Sequence, residues 1–513
     1  MKQLQSISVV APGFSGLNTQ DSSVSLPSSF SLVADNCVID TYGRLGSRKG
    51  WTMKTTSGAT ALSGNNIEFI HEHTNADNTV TVLSGGNNKI FKNGVAGALT
   101  DVTPMSYTIT SNFWKAASIN DVALIVQKNQ EPLVYTEGAS PNCQKLVTYK
   151  VHTPSFGTSY PQEALAAYGR FWVHDGETVY WSTDIADTNF PAFAGGTSGT
   201  LNIASVLPKN VDRIVALAAH NDFLIIFCEY NTVIYNGAIN PISDSFALAD
   251  VIDGVGCIAR DSVQHTGTDL LFLSHEGVRS LGRVVQEKSL PQRDLTRNVR
   301  DDISGYVAAE VDYNSIKSVY SEKEAFYLLS FPALKAVYCL DMRRALEDGS
   351  SRATRWVSHR ITAFTRARDQ SVYIGKPNGI GKYEGYQDNG VSYRMRYEST
   401  HIDFQDSTVT KILKRINAVV IGGAGQPFTI RSGTDFNSPS FNYELVIKDD
   451  GLYEWGIGEW GTMEWSSGVN VDRVFTPANG SGKTIQILFE ATINGAELSV
   501  QRLDLFVKTG RIN

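Results

Sequence analysis

Between residues 66 and 385 an apolar run, a polar turn and a second short run usually closing on Tyr or Phe recur seven times. The copies begin with "VTVLSGGNNKIF" (Val80–Phe91), "VALIVQKNQEPLVY" (Val122–Tyr135) and "FWVHDGETVY" (Phe171–Tyr180). They continue with "FLIIFCEYNTVIY" (Phe223–Tyr235), "LLFLSHEGVRSL" (Leu270–Leu281), "FYLLSFPALKAVY" (Phe326–Tyr338) and "VYIGKPNGIGKY" (Val372–Tyr383). Their starts lie 42, 49, 52, 47, 56 and 46 residues apart. Gly, Asn, Asp or Pro at each turn makes each copy a β-hairpin. Further β-like segments such as "IEFI", "RIVALAA", "SIKSVY" and "RITAFT" precede most copies, so each unit holds at least three strands.

A unit of roughly 50 residues has the size of a β-propeller blade. One small antiparallel sheet cannot bury both its faces, whereas sheets stacked around an axis can. The pattern predicts an all-β chain with a propeller of six to eight blades over residues 61–395, because chain ends commonly supply a closing strand. An irregular sandwich or barrel with evenly spaced hairpins is the competing arrangement. In "LPQRDLTRNVRDDISGYVAAEVD", Leu295, Val299, Ile303 and Val307 recur every four residues, which predicts a helical insertion near 290–312. Beyond residue 395 the repeat stops. The alternating strands of residues 396–513 predict a C-terminal β-sandwich. Residues 1–60, rich in Ser and Gly, read as an extended arm with one short helix around "SSFSLVADN", residues 28–36.

Charge narrows the partners. The net charge is −7, and a protein that grips phosphate backbones normally carries a basic excess. Cys37, Cys143, Cys228, Cys257 and Cys339 are scattered, odd in number and free of C-x-x-C pairs, so no zinc or dithiol site is expected. Cys228 and Cys339, in apolar runs, are expected to be small core residues, and the pattern suits assembly in a reducing cytoplasm. The opening "MKQLQSISVVAPGFSG" lacks the apolar stretch of a secretory signal, and "FLIIFC" falls far short of a membrane span. A soluble chain without a membrane-spanning segment is the expectation.

The motifs that could carry chemistry are weak. "NGSGKT" (Asn479–Thr484) echoes a phosphate-binding loop, but Pro477 stands where that loop needs Gly, and the strand-like "IQILFEA" follows where it needs a helix. A hairpin turn is expected there. His71 and His73 of "HEH" share one strand face without a third ligand, and read as a solvated strand end rather than a metal site. No G-x-S-x-G elbow or H-E-x-x-H helix is present, and no carboxylate pair is singled out for a glycosidase. Neither an enzyme nor a cofactor is expected. In "YEWGIGEWGTMEW", Trp455, Trp460 and Trp465 recur every five residues. That period fits neither one strand face nor one helix face. The indoles are therefore expected as core or assembly wedges at successive bends, with a sugar-stacking platform as the alternative.

The stretch "GFSGLNTQDSSVSLPSSFSLVADNCVIDTYGRLGSRKGW" (Gly13–Trp51) resembles the opening of tail hub, or nozzle, proteins of short-tailed bacteriophages, the tail tubular protein B-like and head-closure DNA stabilisation proteins. The motif positions are Gly16, Asn18, Asn36, Gly43, Arg48, Gly50 and Trp51. The segments "HNDFLIIFCEYNTVIYNGA", "DGVGCIARDSV", the tandem Trp-Gly run and "LSVQRLDLFVKTGR" look similar to family features as well. The resemblance implies a structural virion protein rather than an enzyme, with a propeller and added β domains. It also implies a homo-hexameric ring below the portal and tail adaptor, assembled in the bacterial cytoplasm. Such a ring would extend the channel for DNA ejection, retain the packaged genome and meet a tail fibre, tailspike or needle. Double-stranded DNA would pass it without tight binding. The arm would either clasp a neighbour or complete the propeller. A carbohydrate- or receptor-binding propeller is the second reading, and a propeller glycosidase the third.

Overall fold

Each of the seven hairpins forms the second and third strands of a small antiparallel sheet in the computed structural model. That structure describes residues 5–9, 14–93, 97–149, 156, 160–207, 212–287, 294–423, 425–437, 441–447 and 471–509. Among the described residues six sheets stand free as blades, five of four strands and one of three. A further module in the series, Lys317–Ser321, Phe326–Phe331, Ala336–Asp341 and Arg352–Trp356, runs on into a ten-stranded sheet. Numbered along the chain, that module is sixth and the sheet containing Phe364–Arg366, Val372–Lys376 and Gly379–Tyr383 is seventh.

The central strands are apolar at nearly every position because both faces are buried. In Val122–Gln127, Ala123 and Ile125 pack toward the first module, whereas Val122, Leu124 and Val126 pack toward the third. Phe223–Cys228 repeats the arrangement: Leu224, Ile226 and Cys228 face the third module, and Ile225 and Phe227 the fifth. Leu62, Ile67, Ile70, Phe91, Ala363 and Ile380 form the core that joins the seventh module back to the first and closes the ring. Strand Trp51–Met53 completes the seventh module from outside, with Trp51 opposite Tyr383 and Met53 opposite Gly381. The arm thus supplies the closing strand.

Around the propeller's sixth module the chain adds two large sheets. The ten-stranded one continues through Phe30–Asp35, Tyr393–Ser399, Ile485–Ile493, Pro427–Thr434 and Phe441–Val446. A seven-stranded sheet, centred on Lys411–Gly422 and Leu498–Thr509, packs on it. Ile416, Ala418, Val420, Leu503 and Leu505 from one sheet share a core with Met395, Tyr397, Ile430 and Phe489 from the other. Helix Arg300–Ala309 lies in the predicted insertion and buries Ile303, which joins Leu295 and Val299 of the preceding segment in the core beside the fifth and sixth modules.

One expected element is different. Residues 28–36 hold no helix: Phe30–Asp35 is a strand, paired antiparallel with Tyr393–Ser399. Sheet pairing with a distant strand overrides the weak local preference of this Ser-rich segment. The "NGSGKT" segment is strand Ser481–Gly482 leading into strand Ile485–Ile493, so no helix N-terminus faces it. All five cysteines are buried and free.

Candidate functional site at the propeller axis and the arm junction

The first strand of each module lies innermost, next to the first strands of its neighbours. Charged side chains placed there meet across the axis. The turn of 3-10 helix Arg260–Ser262, just before the fifth module, aims Asp261 inward. Its carboxylate accepts from Lys115 Nζ of the second module at 3.1 Å and from Lys317 Nζ of the sixth. Arg260 Nη2 lies 2.9 Å from the same carboxylate and also donates to the Phe113 carbonyl, while Nη1 donates to the Gln162 carbonyl at 2.6 Å. Asp261, Arg260 and Lys317 are all buried. The carboxylate thus ties the second, fifth and sixth modules together, Arg260 adds the backbone before the third, and the axis of the propeller is plugged.

Burial pushes the Asp261 carboxyl up, but the Arg260, Lys317 and Lys115 charges outweigh it and hold it well below the usual range. Burial also lowers the Lys317 ammonium, with Asp261 opposing that shift. Beside the plug a cavity of about 470 Å³ opens, lined by Phe113, Gln162, Arg213, Arg260, Val311 and Tyr313 among others. Arg260, its innermost cation, already has Asp261 and two backbone carbonyls as partners. Among the described residues no group of three His, Cys, Asp or Glu could hold a metal ion. The contacts of Asp261, Arg260 and Lys317 tie the modules to one another.

His71 and His73 are not a solvated strand end. They lie on the innermost strand Phe69–Thr74, and both bond to Ser118 Oγ of the second module, at 2.7 and 2.9 Å. His73 is fully buried. Burial, then the neighbouring His73 and Lys115, lower the His71 imidazole to about 3. The innermost strand, which sequence alone does not single out, makes them interior.

The second constellation gathers the arm motif. Arg48 is 1% exposed and forks onto Asp388, Nη1 to Oδ1 at 2.8 Å and Nη2 to Oδ2 at 2.7 Å. Its Nε donates to Asn36 Oδ1 at 3.0 Å, and its guanidinium lies 4.0 Å from the Tyr393 ring centroid. The Tyr393 hydroxyl donates to the Arg48 carbonyl. Asn36, at φ 55°, also donates to the Arg394 carbonyl and accepts from the Val357 amide. Trp51 follows on the closing strand. Arm, seventh module and sandwich thus meet at Arg48.

Gly50 belongs to the same junction, because a Cβ there would stand 1.9 Å from the Gln387 carbonyl oxygen. Gly50→Ala is therefore expected to cost at least about 1–3 kcal/mol of stability in urea unfolding. Gly16, at φ 91°, approaches the Ala353 backbone similarly. Gly43, at φ 76°, closes the turn that follows Asp40. Asn18 is elsewhere: its Oδ1 accepts from the Gln20 and Asp21 amides, and its Nδ2 donates to Asp21. Trp455, Trp460 and Trp465 lie outside the described residues.

The axial groups Lys115, Arg260, Asp261 and Lys317 escape a reading of the sequence. The available signal is charge on short apolar strand segments, as in "IARDSV" and "SIKSVY".

No curated protein matches the chain. Among solved structures, the extracellular domain of a one component system from B. thetaiotaomicron is 10% identical with a TM-score of 0.40. That alignment covers 76% of this chain, which spans only 43% of the other protein. Streptogramin B lyase is 12% identical with a TM-score of 0.37, covering 65% of this chain and 97% of the lyase. YCF48 bound to D1 peptide is 10% identical with a TM-score of 0.40, covering 70% and 99%. A family model described as "Bacteriophage P22 Gp10, beta-propeller" matches residues 43–357, from the end of the arm through the sixth module and well over half of the chain. The chain therefore belongs to the bacteriophage P22 Gp10 β-propeller family.

Proposed function

We propose that this chain is a structural virion protein of a short-tailed phage. Six copies close into a ring at the end of the tail, below the adaptor and portal. The ring extends the DNA ejection channel, retains the packaged genome and presents its far side to a fibre, tailspike or needle. The observation that carries this reading is the family match over residues 43–357, the end of the arm and the first six modules.

The axial plug fits the same reading. With Asp261 bridging the second, fifth and sixth modules, the propeller's own axis is no path for a duplex. A channel must then run between copies, each acting as one rigid wall segment. A net charge of −7 suits a wall that lets phosphates slide past rather than holding them.

Electron microscopy and analytical ultracentrifugation of the full chain, alone and with its adaptor, test the proposal. A closed six-membered ring is the expected result. A chain that stays monomeric with its adaptor and binds glycans on an array would replace the conduit by a receptor-binding role.

A further inference from the structure

The fourth module is chemically unlike its neighbours. From Ile214 to Ala259 the sequence contains no Lys or Arg, yet it carries Asp222, Glu229, Asp244, Asp250 and Asp253. Its outermost strand, Ala247–Ile252, pairs with Thr232–Asn236 and has no second partner strand among the described residues. The loop before it is pinned. Gly237, at φ 76°, sits where a Cβ would stand 2.2 Å from the Ser245 carbonyl oxygen. The Asn240, Ser243 and Phe246 amides donate in succession to Gly237, Asn240 and Ser243 carbonyls at 3.0–3.1 Å. That scaffold leaves Ile239 and Ile242 60% and 59% exposed, and Leu248 on the edge strand that follows is 45% exposed. The result is a fixed apolar ledge on an open sheet edge, with the exposed Asp244 in its loop and the exposed Asp253 at the far end of the edge strand. Folded proteins normally blunt such an edge or cover it.

The outer face of the seven-stranded sheet has the opposite character. Pairing register sets Asn417 between Phe475 and Asp504, Arg415 beside Phe506 in the next row, and Val419 between Arg473 and Arg502 in the row beyond. The Arg415 guanidinium lies 4.4 Å from the Phe506 ring centroid and 5.3 Å from that of Phe475. Arg415, Phe475, Arg473, Arg502 and Lys508 are exposed. Asp504 is buried, and Ser8, Asn417 and Arg502 take up its carboxylate. In a chain of net charge −7 this face is basic and aromatic.

The two surfaces do not meet within one chain. The sandwich is joined to the sixth and seventh modules, two and three places round the ring from the fourth, and no ion pair among the described residues links them. We infer that the ledge of the fourth module in one copy docks on the basic face of the sandwich in the next. This assigns the contact surfaces of the proposed ring and rests on that reading. Two different, complementary patches on one chain make a head-to-tail contact, the kind that can close into a ring. Arg and aromatic side chains at the centre are the groups on which binding energy concentrates, and the opposite charges fix register and speed encounter.

The test uses the full chain under conditions in which unsubstituted copies form rings, alone or on the adaptor. Arg415→Glu and Ile242→Arg should each raise the concentration needed for assembly at least about tenfold. Thermal unfolding should barely move, since both side chains are exposed. Mixed in equal amounts, the two variants should form a one-to-one pair and nothing larger. One copy keeps a sound ledge and the other a sound basic face, so a single good contact remains. Rings that tolerate both substitutions, or a mixture without pairs, would overturn this assignment and leave the ring standing. Unsubstituted copies that never form a ring would remove the ring reading and this contact together. Intact Arg415→Glu rings with weaker duplex binding in gel shifts would give the basic face to nucleic acid, and overturn the assignment too.

Discussion

Asp261→Ala is expected to cost about 3–5 kcal/mol of stability, read from the urea midpoint at constant slope. The carboxylate joins Lys115, Arg260 and Lys317, and Arg260 and Lys317 are buried with it. Removing it leaves buried cations facing one another, which costs far more than the loss of one hydrogen bond. Lys317 then has no opposing charge, so its depressed ammonium falls further. Between that lowered value and the ordinary one, the unfolded chain holds a proton that the folded chain has released. The variant's stability should therefore rise with pH across the alkaline range more steeply than that of the unsubstituted protein. Lys317→Met added to Asp261→Ala should recover part of the loss, because the pair is coupled. A loss below about 1 kcal/mol, the range of exposed pairs, would show that the axis is wet and the tie superficial.

The plug also marks the boundary of what the sequence reveals. The second and third strands of each module are legible because burial on both faces makes them continuously apolar, as in Phe223–Cys228. The outermost strands are not. Gly199–Asn202 carries one large apolar residue, Leu201, and Ala247–Ile252 is apolar yet mostly exposed, so neither shows the alternation or the buried run that marks a strand. Strand Phe30–Asp35 looks helical locally because its partner, Tyr393–Ser399, lies more than three hundred residues away. The axial site fails for the same reason. Asp261 stands 146 residues from Lys115 and 56 from Lys317, so no spacing rule connects them. His71 and His73 read as solvated until the ring makes their strand the innermost one. The arm motif, by contrast, names residues that do converge: Asn36, Arg48, Gly50 and Trp51 meet at one junction, although 340 residues separate Arg48 from Asp388.

That junction carries the other large effect. Arg48→Ala should destabilise the chain by about 3–5 kcal/mol near neutral pH, because it strips a two-pronged partner from Asp388 and a cation from the Tyr393 ring. Arg48→Lys should recover only part, since an ammonium cannot reproduce the fork to Asp388 while also reaching Asn36. Acid should shrink the deficit. Burial pushes the Asp388 carboxyl up, but hydrogen bonds from Arg48 and His359 and the Arg48 charge hold it well below its ordinary range. Its stabilisation is present above the unfolded value of about 3.9 and is lost as pH falls through the lower folded value. His359 acts in the same direction. Burial, then Arg48 and Lys376, lower its imidazole to about 3, so the unfolded chain gains a proton below about pH 6.5 that the folded chain refuses. Both groups make the unsubstituted protein lose stability in acid, and both effects weaken once Arg48 is gone. Urea unfolding of the two proteins from pH 7 to pH 3 should show the curves converging. A difference independent of pH would mean that Arg48 acts through packing against Tyr393 alone.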